Sequence, residues 1–147
     1  MFHFIPKIAI AMTLLLTSLS AQMPSHPVRL LAYGKTCGPK LTAKAWFDEA
    51  KVPRLTFKLE SRRKATIGVW FIGVQKTQLQ IPGTSCGLYT APVLVYYLVT
   101  DNKGGTSFTT VVPKQLKKSV FMQMALFPFD SLRFGLETSN GMQIQVK

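Results

Sequence analysis

Thr66-Ile67-Gly68-Val69-Trp70-Phe71-Ile72-Gly73-Val74 carries no charge, and every residue in it except the two glycines is β-branched or aromatic. A run of this length, apolar on both of its alternating faces, reads as a strand buried between two layers. A second run of the same kind is Pro92-Val93-Leu94-Val95-Tyr96-Tyr97-Leu98-Val99. Both are expected at the centre of a sheet, with Trp70, Phe71, Tyr96 and Tyr97 in the core, joined there by Phe121.

Outward from these runs the pattern has a period of two. Leu41, Ala43, Ala45 and Phe47 alternate with Lys40, Thr42, Lys44 and Trp46, while Leu55, Phe57 and Leu59 alternate with Arg54, Thr56, Lys58 and Glu60. Each is the signature of a strand with one face buried and the other in water. Val120, Met122, Met124 and Leu126 share a side in the same way, and Pro128 ends that strand. Asp101-Asn102-Lys103-Gly104-Gly105 is a turn signal that predicts a hairpin between the 92–99 run and Thr106 to Val111. Asn140-Gly141 predicts a second hairpin, with Leu132, Phe134 and Leu136 before it and Met142, Ile144 and Val146 after it. About eight strands emerge, and Pro113 to Lys118 is the one candidate for a helical turn. The fold class expected is all-β, an antiparallel β-sandwich, with a small β-barrel as the second choice.

The chain begins with Lys7 as the only charge before an apolar stretch, Ile8 to Leu16, followed by Ser18, Ser20 and Ala21. A positive start, a short apolar centre and a small-residue exit are what a signal peptidase reads, and the stretch is shorter than the roughly 20 residues of a membrane-spanning helix. Residues 1–21 are therefore expected to be a signal peptide, cut after Ser20 or Ala21, and the protein to be secreted or periplasmic. Gln22 to Pro27 follows as an extended arm with two prolines, and 28–147 is expected to form one domain.

Cys37 and Cys86 each stand in a glycine-bearing loop. An even number of cysteines in an exported chain favours one disulfide, with two buried thiols as the alternative. A bridge across that separation is worth on the order of 4 kcal/mol from chain entropy.

Chemistry is sparse. His3 lies in the signal and His26 in the arm, so a catalytic triad would rest on one residue outside the domain. The carboxylates are Asp48, Glu49, Glu60, Asp101, Asp130 and Glu137. A hydrolase would need two of them across a cleft, Glu60 and Glu137 being the pair to consider, yet turn positions and outward strand positions favour solvated charge pairing. No zinc spacing, calcium loop or phosphate-binding glycine loop is present, and no cofactor is expected. A third possibility, an inhibitor-like partner, would act through an exposed loop such as Gly83 to Tyr89 or an open strand edge.

The functional signal is charge. With 18 lysines and arginines against 6 acids the chain carries +12, which favours anionic partners. Arg54, Lys58, Arg62, Arg63 and Lys64 form one row, Lys40 and Lys44 share a strand face with Trp46, and Lys114, Lys117 and Lys118 cluster before the Phe121 strand. A lysine row with an exposed tryptophan suits an anionic chain, with ammonium groups on its charges and the ring on a sugar or base. The bland reading is that lysines keep outward faces soluble and strand edges unpaired. The function expected is a non-catalytic envelope module, structural or binding, that contacts an anionic polysaccharide, another extracellular polyanion or envelope proteins.

Tyr33-Gly34-Lys35-Thr36-Cys37, Leu41-Thr42-Ala43, Pro82-Gly83-Thr84-Ser85-Cys86, Leu98-Val99-Thr100-Asp101 with Gly104, Phe121-Met122-Gln123 and Thr138-Ser139-Asn140-Gly141-Met142-Gln143-Ile144 follow one another in order. Together they resemble a family of short exported domains common in planctomycetes and related bacteria. The resemblance implies a secreted β-sandwich with its two cysteines paired, and it implies no particular function. The chain departs from that pattern in its many lysines.

Overall fold

The structure is a computed structural model that describes residues 27–112, 119–130 and 133–146. The expected signal peptide and all of the expected arm but Pro27, the candidate helical turn with Lys114, Lys117 and Lys118, and Leu132 lie outside the described residues.

Among the described residues there are thirteen strands: β1 (Val28–Tyr33), β2 (Lys40–Phe47), β3 (Pro53–Glu60), β4 (Ile67–Gly73), β5 (Gln75–Gln80), β6 (Gly87–Ala91), β7 (Leu94–Val99), β8 (Gly105–Val111), β9 (Val120–Leu126), β10 (Phe129–Asp130), β11 (Arg133–Phe134), β12 (Glu137–Thr138) and β13 (Gly141–Val146). They build an all-β, antiparallel architecture. A six-stranded sheet runs β1-β13-β9-β4-β7, with β12 also beside β9, and a three-stranded sheet runs β2-β3-β8. β5 and β6 form a separate hairpin, as do β10 and β11. The barrel alternative does not occur: β7 and β8 each end their own sheet and stay unpaired with one another.

The core lies between the two large sheets. Leu41, Leu55, Phe57 and Leu59 face it from β2 and β3, and Trp70, Met122, Met124, Leu126, Met142 and Ile144 from β4, β9 and β13. The period-two reading of β2, β3 and β9 therefore holds. Phe57 packs 5.4 Å from the Trp70 ring, and each such side chain removed from water contributes about 1.5–3 kcal/mol.

The other face of β9, with Phe121, Gln123 and Ala125, is buried as well. The β5–β6 hairpin covers it. Gln123 donates from Nε2 to the carbonyls of Gly87 and Ser139, both at 2.8 Å, and accepts the Tyr89 amide at 2.7 Å. The Cys37–Cys86 disulfide, with Cα atoms 5.1 Å apart, fastens the same hairpin to the β1–β2 loop.

Three expectations are corrected. β4 is central, between β9 and β7, but β7 lies at the edge of the sheet. Tyr96 and Tyr97 are consequently exposed, Tyr97 at 86%, while Trp70 and Phe121 are buried and Phe71 half-buried. The 101–105 segment is a tight turn, with the Asp101 amide donating to the Gly105 carbonyl at 2.7 Å, but it is not a hairpin turn. It carries the chain from the edge of one sheet to the edge of the other, so β7 pairs with β4 and β8 with β3.

Asn140-Gly141 is not a turn of the primed type either, since neither residue has a positive φ. β12 and β13 both run along β9, and the register changes by one residue between the Thr138–Ala125 and Met142–Met122 pairs. Ser139 and Asn140 occupy this bulge, where Ser139 donates its amide to the Met124 carbonyl and accepts the Met124 amide on its hydroxyl. A bulge re-aims side chains, and here it turns Asn140 into the interior.

Candidate functional site

The register of the three-stranded sheet decides which basic residues stand together. Lys40 lies opposite Glu60, Thr42 opposite Lys58, Lys44 opposite Thr56 and Trp46 opposite Arg54, while Thr56 faces Thr109 and Lys58 faces Ser107 across the other ladder. Residues directly opposite share a face, so these side chains form one outer surface, away from the core. Lys40, Lys44 and Lys58 are exposed, and Trp46 is exposed at 37%.

Trp46 does not swing freely on this surface. Its indole Nε1–H donates to Thr56 Oγ1 at 3.0 Å, and the Thr56 hydroxyl is 2.9 Å from that of Thr109. The ring is thereby fixed beside a shallow depression of about 470 Å³, whose walls include Thr42, Lys44, Trp46, Thr56 and Lys58. A ring held by a hydroxyl chain and flanked by ammonium groups presents what a charged sugar unit requires.

Arg54 and Arg63 of the predicted row have other partners. Arg54 contacts Asp48 through Nε at 2.9 Å and through its terminal nitrogen at 2.8 Å. Arg63 turns away and donates from Nε to Glu137 at 2.8 Å, and Gly38, at φ 118°, leaves room for that carboxylate, because a side chain there would strike it. Lys58 touches Glu60 at 2.8 Å at the exposed end of the face. Arg62 and Lys64 are exposed on the β3–β4 loop, off the strand ladders. The lysine and tryptophan part of the set thus assembles, and the arginine part is spent largely on intramolecular pairs.

Asp48, Glu60, Asp101 and Glu137 are engaged in structure. The Asp48 carboxyl is held below the usual range, chiefly by the Val52 amide and further by Arg54. That of Asp101 is lowered mainly by the amides of Gly105 and Lys103, and that of Glu60 by Lys58, whose own ammonium is raised in return. Glu60 and Glu137 face different cations rather than each other. A general acid needs its pKa pushed the other way.

The Gly83 to Tyr89 segment is tied down. Thr84 donates its amide and its hydroxyl to the Ile81 carbonyl, Cys86 donates to the Thr84 hydroxyl, and Cys86 is bridged to Cys37.

A second surface lies at the open side of the sandwich. Between the edges of β7 and β8 the sandwich opens into a cleft of about 720 Å³ with Leu55, Trp70, Ile72, Leu98, Phe108 and Met122 among its walls. Among the described residues no carboxylate lines it. Tyr96, Tyr97 and Val99 of its lining are exposed, and Val93, Leu94 and Val95 before them are exposed as well. The only signal for this in the sequence was the lack of charge in 92–99, which suits a buried strand equally well.

Comparison of the chain with protein-family models, with curated proteins and with solved structures finds no match in any of the three. Among the described residues no helix is long and apolar enough to cross a membrane, and no group of three or more metal-ligating side chains forms.

Proposed function

We propose that this protein is an exported, non-catalytic binding module of the cell envelope that grips an anionic polysaccharide, or a polyanion of similar charge spacing, on the outer face of β2, β3 and β8. The observation that carries the reading is the placement of Lys40, Lys44 and Lys58 on one face with Trp46, whose ring is fixed by Thr56. Ammonium groups neutralise the polymer's charges, the ring stacks on a sugar face, and the hydroxyls of Thr42 and Thr109 offer hydrogen bonds. The resemblance to exported planctomycete domains, the signal-like start and the disulfide support an extracellular or periplasmic setting.

Titration with heparin tests it, read by tryptophan fluorescence. Trp70 is buried in the core, so a ligand on the outer face perturbs Trp46 alone. The expected result is a saturable change that weakens steeply with added salt, with heparin affinity measured by calorimetry falling in Trp46→Ala. Binding with no contribution from Trp46 would leave only general charge attraction.

A further inference from the structure

We infer that β7 pairs with β7 of a second copy of this chain, about a two-fold axis through Tyr97, joining the six-stranded sheets of two molecules into one. The unpaired side of β7 supplies the backbone for it. Thr100 donates its amide to Thr66 of the segment entering β4, at 3.0 Å, and amide direction alternates along an antiparallel strand. Leu98, Tyr96 and Leu94 therefore address β4, and the amides and carbonyls of Val95, Tyr97 and Val99 point to the open edge.

The side chains repeat this symmetry. The edge-directed residues read Val-Tyr-Val, the same in both directions, so antiparallel pairing about Tyr97 sets Tyr97 against Tyr97 and Val95 against Val99 of the other copy. On the cleft face Tyr96 meets Leu98. A self-complementary patch is what a two-fold interface requires. It would also cover the apolar rim that an isolated molecule leaves in water, a hazard that natural edges usually remove.

Charge disfavours the lysine- and arginine-bearing edges, and β6 and β8, which are uncharged too, lack the edge-directed order of β7 that reads the same in both directions. The chain is strongly cationic, so copies repel wherever lysines or arginines meet. β1 at the far edge of the same sheet carries Arg29, and β2 at the edge of the other carries Lys40 and Lys44. β7 carries no charge and no proline. A two-fold axis normal to the sheet keeps both three-stranded sheets on one side, so a dimer presents two Lys40–Lys44–Lys58 faces to one polymer and gains avidity. That consequence rests on the proposed function, whereas the pairing itself does not.

Sedimentation equilibrium of the purified protein tests the pairing, with hydrogen exchange on the same samples. The expected result is a monomer–dimer equilibrium that tightens or holds as salt rises, with the amides of Val95, Tyr97 and Val99 becoming protected as concentration rises. Tyr97→Lys, which sets like charges on the axis, should weaken the dimer by more than about tenfold. Val95→Pro, which removes an edge-directed donor where proline is tolerated, should do the same with the thermal unfolding of the monomer retained. A protein that stays monomeric to about millimolar concentration overturns the inference, as does a dimer indifferent to Tyr97→Lys. Stoichiometric capture of a different protein on β7 would overturn it in favour of a heterologous partner. Loss of heparin binding with the dimer intact would overturn the proposed function and leave the pairing standing.

Discussion

Asn140 and Leu41 are joined by a reciprocal pair of hydrogen bonds across the two sheets: the Leu41 amide donates to Asn140 Oδ1 at 3.0 Å, and Asn140 Nδ2 donates to the Leu41 carbonyl at 3.1 Å. The asparagine side chain replaces the strand that β2 lacks at this edge. Both residues are buried, so neither backbone group of Leu41 has water to turn to.

Removing that side chain should therefore cost more than its two bonds. Asn140→Ala leaves a buried donor and acceptor unsatisfied, at about 1–3 kcal/mol each, and should lower stability by about 2–4 kcal/mol in urea unfolding. Asn140→Asp keeps the acceptor for the Leu41 amide but sets a carboxylate against the Leu41 carbonyl, and should be at least as destabilising at neutral pH. A loss below about 0.5 kcal/mol for Asn140→Ala would show that the bridge is dispensable.

Gln123 does the same for the outer layer, with three bonds from one fully buried amide. Gln123→Leu should destabilise the fold by about 2–4 kcal/mol and raise hydrogen exchange in Gly87–Ala91 more than in β3. Uniform change across the two would mean that the hairpin is held by other contacts.

The disulfide anchors this hairpin beside the same contacts, one residue before Gly87. Cys37→Ala with Cys86→Ala should lower stability by about 2–4 kcal/mol and loosen the 81–86 loop first. Thermal unfolding with and without reductant should show the same difference in the parent protein and none in the double variant.

Acid should act through the carboxylates. The folded-state pKa values of Asp48, Glu60 and Asp101 lie below their ordinary values, so the unfolded chain binds protons first as pH falls. Their contribution is complete above the unfolded values of about 4 and is lost below them. The melting temperature should be nearly flat from pH 6 to 8 and drop below about pH 4. Asp101→Asn, which accepts the same amides without titrating, should show a smaller drop between pH 7 and pH 3.

How much of this was legible follows from what each residue's neighbours are. The alternation in β2 and β3 specified both faces, because polar and apolar side chains separate by parity alone; Leu41, Phe57 and Leu59 lie inside, and Lys44 and Trp46 outside, as read. The 92–99 run lies at an edge and not at the centre, because a strand apolar on both faces looks the same whether a neighbouring strand covers it or nothing does. Asp101 to Gly105 has turn chemistry, but whether the next strand rejoins the same sheet depends on long-range pairing. Asn140-Gly141 misled because a buried asparagine and a turn asparagine are the same letter. β1, β5 and β6 carry no clear signal in the sequence: Val28 to Tyr33 lacks a clean period, and Gln75 to Gln80 is mostly polar because it lies on the outside of a sheet. The lysine row on β2 was readable, whereas the diversion of Arg63 to Glu137, 74 positions away, was not.

The most direct test of the basic face compares two sets of charge removals by heparin binding across a salt series. Lys40→Gln, Lys44→Gln and Lys58→Gln together should reduce the slope of log affinity against log salt by about 3 and weaken binding far more than Arg62→Gln with Lys64→Gln. Equal losses per charge from the two sets would contradict a site on β2 and β3.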